Sequence, residues 1–197
     1  MTLRQIKNSF LDSINECRTL YRHCLSPVGI HSDSGVEAAF LRLYNSWEMF
    51  LEETLVSILN GESVVSGDII TPKFTLSDRN LIREIIYQEK SFIEWTRDED
   101  VKKRFERHLQ LPNRINTTLD TIAAEFREII KIRNYIAHSS AQAKKHFVNL
   151  YQSKVGGSPN TSRACNFLKE VVSSNQQDTY FDKYLKTLEA AAILMVG

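Results

Sequence analysis

The sequence predicts an all-α fold, a helical bundle with one irregular insertion after the second helix. The chain of 197 residues contains only 7 Gly and 4 Pro, whereas a β fold built on many tight turns needs more of both. Apolar residues recur at three- and four-residue steps over long stretches, which places them on one face of a helix. The apolar fraction of 42% supplies a core, and the length predicts a single helical domain over residues 1–197.

The first helix is predicted over residues 2–25. Its apolar positions fall on one face: Leu3, Ile6, Phe10, Ile14, Cys17, Tyr21 and Cys24. A second and more apolar helix is predicted from residue 34 to residue 59. Ser34 and Glu37 have the spacing of a capping box at its start, and Asn60-Gly61 is typical of a helix end.

Residues 62–76 are the least helical stretch and are predicted to be an insertion between two helices. Val64-Val65 and Ile69-Ile70 flank a Gly-Asp pair, so the stretch forms either a short hairpin or an ordered loop. Ser77 is predicted to cap the next helix, which ends near residue 87. Its predicted buried face consists of Leu81, Ile82, Ile85 and Ile86. A further helix is predicted over residues 98–108, because its acidic front and basic rear suit the helix dipole.

The next helix is predicted to start at Thr117 or Thr118 and to run to about residue 139. Its core stripe comprises Leu119, Ile122, Ala123, Phe126, Ile129, Ile130 and either Ile136 or Ala137. Two C-terminal helices follow within residues 161–197 and are predicted to pack on a bundle core formed by residues 34–140. The first of them starts at Thr161 or Ser162 and has an apolar face of Ala164, Phe167, Leu168, Val171 and Val172. The last is predicted to be capped by Asp178.

Composition excludes several classes of protein. The net charge is +1 at pH 7, so contact with nucleic acid requires a local basic patch rather than long-range attraction. The 3 cysteines are odd in number and lack metal-ligand spacing, which predicts free thiols in a reducing compartment and no metal site. The N-terminal residues lack the apolar core of a signal peptide, and there is no apolar run of about 18 residues. A cytoplasmic protein without a membrane span is therefore expected.

A local basic patch is present between residues 127 and 146. The stretch contains one acidic residue, Glu128, against five basic ones: Arg127, Lys131, Arg133, Lys144 and Lys145. Arg127, Lys131, Asn134 and His138 are three or four residues apart and therefore share one helix face. Arg127, Lys131, Lys144 and Lys145 are the candidate nucleic-acid-binding residues.

One segment of this patch combines groups that are suited to chemistry: Arg133-Asn134-Tyr135-Ile136-Ala137-His138. Asn134 and His138 are one turn apart on the same face. Arg133 lies about 100° around the helix, and its long side chain reaches towards the same space. Histidine transfers protons near neutral pH, arginine matches phosphate oxygens with a planar fork, and asparagine orients the histidine or binds the phosphate. Arg133, Asn134 and His138 are the candidate catalytic residues.

The same residues also have a purely structural interpretation. Arginine and histidine near a helix C-terminus stabilise the terminal carbonyls, so the segment is either a site or a capping set. Glu48, Glu52 and Glu53 of the second helix are predicted to be solvated or ion-paired, with contact to Arg133 as the alternative. Tyr135 is predicted to pack or to face solvent, with base stacking as the alternative.

Two segments resemble the HEPN superfamily. The segment from Arg133 to His138 matches its Arg-Asn-x-x-x-His signature, and Leu43-Tyr44-Asn45-Ser46-Trp47-Glu48 is similar to the apolar second helix that accompanies it. The chain resembles in particular the RiboL-PSP-type branch. The resemblance covers residues 34–140 in pattern, and the six-residue signature is its specific part. It implies a HEPN-like up-and-down bundle.

The resemblance also implies a function. It implies a homodimer in which the motif helices of two subunits meet at the two-fold axis and form a composite active site. It implies a metal-independent endoribonuclease without a cofactor, acting on RNA in a toxin–antitoxin or phage-defence setting, where an antitoxin or another defence protein is the expected partner. By position, Arg133, Asn134 and His138 are the catalytic residues. Since some members are inactive, the alternative is a non-catalytic helical dimer that binds a partner protein or RNA.

Metal-free cleavage of RNA makes three demands on such a site. A base must take the 2′-OH proton, a cation must stabilise the phosphorane, and an acid must protonate the departing 5′-oxygen, which leaves a 2′,3′-cyclic phosphate and a 5′-hydroxyl. One histidine performs both proton transfers poorly. A symmetric partner supplies a second His138, so catalysis is expected to require the dimer.

Overall fold

The computed structural model describes residues 1–25, 32–62, 70–88, 95, 97–138, 140–156, 163–173 and 176–197. Within these ranges the helices are α1 (Leu3–Leu25), α2 (Ser32–Leu59), α3 (Arg79–Tyr87), α4 (Asp98–His108), α5 (Arg114–Ala137), α6 (Ala141–Lys154), α7 (Ala164–Lys169) and α8 (Tyr180–Val196). Two short strands, β1 (Val171–Ser173) and β2 (Gln176–Thr179), form one antiparallel pair. The prediction of an all-α fold is confirmed.

The segment after α2 is irregular where the structure describes it, as predicted. α2 ends at Leu59, and Gly61 has a φ of 94°, a left-handed conformation that favours glycine just past a helix end. Further along, Pro72 forms an isolated bridge with Leu109. Residues 63–69, which the sequence predicts to form either a hairpin or a loop, lie outside the described residues.

Short polar side chains decide where three of the helices begin. Asp78, rather than the predicted Ser77, caps α3, since its carboxylate accepts hydrogen bonds at 2.8 and 3.3 Å from two N–H groups of the first turn. Asn113 accepts a similar bond at 3.0 Å, so α5 begins earlier than predicted. Thr179 caps α8 in place of the predicted Asp178, which lies on β2.

The first C-terminal helix is shorter than the periodicity predicts. Its two proposed caps, at residues 161 and 162, lie outside the described residues, and α7 ends at Lys169. Val171 and Val172 were predicted on its apolar face, but they lie on β1, and Val171 is exposed. Two adjacent β-branched residues favour a strand, which explains why the helical prediction is wrong here. Residues 147–151, a short apolar run before α7, lie within α6 (Ala141–Lys154), a helix that the sequence analysis did not predict.

The chain divides into two compact units. The first comprises Met1–Asp12, Ser46–Ala124 and Glu189–Gly197, and the second comprises Ser13–Asn45 and Glu125–Leu188. The expectation of a single domain over the whole length stays a prediction. Among the helices described, none combines the length and the apolar character that crossing a membrane requires.

Aromatic packing and an ion-pair network organise the first unit. The rings of Phe10, Trp47 and Phe50 contact one another with centroids 5.0 to 5.6 Å apart, and all three are buried. Glu53 forms ion pairs with Arg79 at 2.7 Å and with Arg83. These pairs attach the polar side of α3 to α2.

The second unit contains the candidate functional segment and has an aromatic core of its own. Phe181 of α8 stacks on Tyr21 of α1, with ring centroids 4.0 Å apart. Tyr184 donates a hydrogen bond to Glu128 at 2.9 Å, and Lys154 pairs with the same carboxylate at 2.6 Å. Burial and the nearby Glu128 raise the pKa of Tyr184, so its hydroxyl stays protonated and donates. α5, α6 and α8 are joined at this carboxylate.

The apolar face of α3 is narrower than the sequence predicts. Ile82 and Ile86 are buried, whereas Leu81 and Ile85 are 43% and 37% exposed. The helix therefore buries Ile82 and Ile86, which are one turn apart, and exposes Leu81 and Ile85 to solvent. The sequence pattern does not distinguish the buried pair from the exposed pair, because all four residues are equally apolar.

Ile82 and Leu81 form a matched pair for testing this arrangement. Replacing Ile82 with Ala removes buried methyl groups and leaves a cavity, so the free energy of unfolding should fall by about 2–4 kcal/mol. Leu81→Ala, at the neighbouring exposed position, should change it by less than about 1 kcal/mol. Urea denaturation followed by circular dichroism measures both values, and equal losses would contradict the described orientation of α3.

Candidate functional site

The candidate segment lies where α5 ends and α6 begins. α5 ends at Ala137, and the backbone N of His138 still donates to the carbonyl of Asn134 at 2.9 Å. Ser140 caps α6 by accepting a hydrogen bond from the backbone N of Ala143 at 3.1 Å. The backbone of His138 is therefore fixed by a helical hydrogen bond, while its side chain is exposed.

The structure brings the three candidate catalytic side chains together. Nη1 of Arg133 lies 3.1 Å from Oδ1 of Asn134 and 3.1 Å from Nε2 of His138. Arginine has donors only, so Nε2 must accept. In a neutral ring, the hydrogen of His138 is then on Nδ1. Asn134 orients Arg133, which in turn contacts His138.

The guanidinium of Arg133 also lies over an aromatic ring of α2. Its Cζ is 5.4 Å from the ring centroid of Tyr44, which is fully buried. A cation over an aromatic face gains about 0.5–1 kcal/mol at a partly exposed site. Tyr44 belongs to the segment that carries the family resemblance, although the sequence did not single it out. Arg133 is thus held by three neighbours at the C-terminal end of α5.

The contacts of Arg133 can be compared with the alternatives that the sequence left open. The side-chain contacts of Arg133 among the described residues go to Asn134, His138 and Tyr44, and none of these is a helix carbonyl or a carboxylate. Glu52 instead accepts a hydrogen bond from Tyr87 at 2.7 Å, and Glu53 pairs with the arginines of α3. The prediction that these two glutamates are paired is confirmed, and their contact with Arg133 is not found.

A pocket of about 350 Å³ opens beside His138. It is lined by Glu37, Tyr135, Ile136, His138, Ser140, Lys144 and Arg163. One face of the Tyr135 ring is covered, because it stacks on Phe147 at a centroid distance of 4.3 Å and an angle of 2°. The prediction that Tyr135 packs is confirmed.

The candidate nucleic-acid-binding residues are not equally placed. Lys144 lines the pocket with His138, whereas its exposed neighbour Lys145 is not part of that lining. Arg127 is exposed and Lys131 is half-buried, and both precede His138 on α5. At a rise of about 1.5 Å per residue, Arg127 lies about 16 Å from His138 along the helix axis. The structure thus brings Lys144 to His138 and leaves Arg127 about three turns away.

Glu37 and Arg163 are pocket residues that the sequence did not identify. α2 begins at Ser32, so Ser34 lies inside the helix and the predicted capping box does not mark its start. Glu37 instead pairs with Arg163 at 3.6 Å. Arg163 also pairs with Asp33 at 3.5 Å. The pKa of Asp33 is lowered by the hydrogen bond from Lys169 and by the positive charges of Lys169 and Arg163. No local sequence pattern joins these distant residues, because only the tertiary fold brings them together.

The contact between Arg133 and His138 predicts an unusual imidazole tautomer. Nitrogen-15 spectra at mildly alkaline pH should show Nδ1 protonated and Nε2 unprotonated in the wild-type protein. Arg133→Met removes the donor and should shift the ring towards the Nε2–H form. Lys131→Met removes a charge from the same helix at a residue that forms no hydrogen bond with His138 in the described structure, and it should leave the tautomer unchanged. An Nε2–H ring in the wild-type protein would rule out the contact.

Comparisons with protein-family models, with curated proteins and with solved structures gave no match for this chain. Membership of the HEPN superfamily therefore stays a prediction that rests on the six residues from Arg133 to His138 and on the segment from Leu43 to Glu48. The description of the fold and of the site geometry does not depend on that membership. What the site does must be argued from its chemistry.

Proposed function

We propose that this chain is a metal-independent endoribonuclease that uses Arg133, Asn134 and His138. One observation carries the proposal: a guanidinium nitrogen lies 3.1 Å from the imidazole Nε2 of an exposed histidine. A proton-transfer group and a fixed positive charge are the two components that metal-free phosphodiester cleavage needs. The lysine of the adjoining pocket, Lys144, adds a second positive charge for the RNA backbone.

The reaction assigns one task to each group. Nε2 of His138 takes the proton of a ribose 2′-OH, and the 2′-oxygen attacks the adjacent phosphorus. Arg133 binds the non-bridging oxygens and stabilises the charge of the phosphorane. The bond from phosphorus to the 5′-oxygen then breaks as an acid protonates that oxygen. The products are a 2′,3′-cyclic phosphate and a 5′-hydroxyl.

Arg133 links substrate binding to activation of the base. In the free protein its Nη1 donates to the Nε2 lone pair that must accept the proton. A phosphate competes for the same guanidinium, and a charged acceptor forms the stronger hydrogen bond. Binding of RNA therefore releases Nε2 at the moment when its lone pair is required. Asn134, which bonds Arg133 at 3.1 Å, keeps the guanidinium beside the reaction centre during this exchange.

The acid in this scheme is supplied by a second copy of the chain. One subunit contributes one His138, which cannot be base and acid in the same step. In a homodimer with the motif segments at the two-fold axis, the partner's protonated histidine reaches the 5′-oxygen. Such a nuclease acts as a toxin or as a phage-defence effector, and an antitoxin or another defence protein is the fitting regulator.

The proposal is tested with purified protein, total RNA and excess EDTA. The wild-type protein should cleave RNA in EDTA, and mass spectrometry should find cyclic phosphate ends. His138→Ala removes the proton-transfer group and should lower the rate by at least about 100-fold. His23→Ala, which alters an exposed histidine of α1, is the matched control and should cleave at the wild-type rate.

Four results would count against the proposal. Cleavage that stops in EDTA would identify a metal-dependent activity, and cleavage that survives His138→Ala would place the chemistry elsewhere. Sedimentation at the assay concentration tests the composite site, since a monomer that cleaves at full rate excludes it. Binding of RNA or of a protein without any cleavage would favour the alternative, a non-catalytic helical dimer.

A further inference from the structure

The pocket beside His138 is lined by two chemically different sets of residues, here called its two walls. One wall is His138, Ser140 and Lys144, at the junction of α5 and α6, and the other is Glu37 of α2 with Arg163. The volume of about 350 Å³ is at the lower end of the range for small-molecule sites. The pocket therefore suits a single nucleotide unit and excludes a base pair.

The two walls differ in charge. Lys144 is exposed and takes part in none of the ion pairs found among the described residues, so its charge is available to a ligand. On the other wall, Arg163 pairs with Glu37. Arg163 also pairs with Asp33, which lies outside the pocket lining and pairs in turn with Lys169 at 2.6 Å. The two positive and two negative charges of this network balance. A ligand with an anionic end and a neutral polar end matches this pattern, and a nucleotide is such a ligand.

Glu37 has unused capacity to accept hydrogen bonds. Its Oε2 is 3.6 Å from a guanidinium nitrogen of Arg163, and its Oε1 accepts from the backbone N of Cys165 at 3.3 Å. Both contacts are long, and a carboxylate offers about four acceptor positions. The two terminal nitrogens of Arg163, in contrast, each face a carboxylate, that of Asp33 or that of Glu37. This wall therefore offers acceptors to a ligand.

Two acceptors on one carboxylate match two adjacent N–H donors. Among the four RNA bases, guanine alone has such a pair on its Watson–Crick edge, the N1–H and the exocyclic N2 amino group. Adenine and cytosine each present a single amino group, and uracil presents a single N3–H. Two parallel hydrogen bonds to one planar group also fix the orientation of the base.

We propose that this pocket is a guanine-specific base subsite, in which Glu37 accepts hydrogen bonds from N1–H and from the N2 amino group. The 3′-phosphate of the bound guanosine lies towards His138 and Lys144. Its role in catalysis rests on the proposed ribonuclease function, whereas the binding of guanine does not. The nucleotide in the pocket is the one whose 2′-OH faces His138, so cleavage follows guanosine.

Binding of nucleoside 3′-monophosphates tests the subsite without any need for cleavage. Calorimetric titration should give a Kd for guanosine 3′-monophosphate at least about tenfold below the values for the adenosine, cytidine and uridine compounds. Inosine 3′-monophosphate lacks only the N2 amino group and should also bind about tenfold more weakly. Glu37→Gln should abolish the preference. Asp33→Asn is the matched control, because it alters the same ion-pair network from outside the pocket lining and should retain the preference.

The outcomes distinguish the guanine subsite from the nuclease. Equal affinities, no measurable binding or an unchanged preference in Glu37→Gln overturns the guanine subsite. The comparison of guanosine with inosine on the wild-type protein decides the matter even if Glu37→Gln does not fold. Cleavage that depends on His138 but shows no excess after guanosine supports the nuclease and overturns the subsite. Guanine-selective binding without RNA cleavage supports the subsite and overturns the nuclease.

Discussion

The contact between Arg133 and Nε2 of His138 determines what the candidate site can do. Because arginine only donates, this contact makes Nε2 the acceptor and assigns the ring hydrogen to Nδ1. The same guanidinium bonds Asn134 and lies over the buried ring of Tyr44. In the proposed mechanism, a phosphate that takes over this guanidinium N–H frees Nε2 of the histidine. In the proposed mechanism this coupling keeps the base occupied until a phosphate arrives.

The surrounding fold keeps that contact in place while leaving His138 open to solvent. α5 ends one residue before His138, and α6 begins again at the Ser140 cap, so the histidine lies between two helix ends. Tyr135 stacks on the buried Phe147, and Phe147 contacts Phe167 edge-on at 6.0 Å. Rigid packing on one side of the segment and solvent on the other suit a group that must meet a large substrate.

The sequence predicts the parts of this site that depend on local geometry. The spacing of Asn134 and His138 places both on one helix face, and their shared contact with Arg133 follows from that spacing. The pairing of Glu37 with Arg163 was missed, because the two residues are distant in sequence and no periodicity connects them.

The errors in the fold have a related cause, since apolar character alone does not specify an environment. Leu81 and Ile82 look alike in sequence, yet only Ile82 is buried. At Val171 and Val172, helical spacing suggested α-helix, whereas their β-branched side chains favoured the strand that forms. The long helices α1, α2 and α5 were predictable because their periodic faces extend over many turns, whereas α6 was not predicted.

A double-mutant cycle on RNA cleavage in EDTA tests most directly whether Arg133 and His138 act as one unit. Rates are measured for the wild-type protein, Arg133→Ala, His138→Ala and the variant with both changes. If the two side chains share one catalytic step, the double variant should be no slower than the slower single variant, because the effects of residues that act together are not additive. Single-variant losses that multiply in the double variant would show independent contributions and would contradict the proposed mechanism.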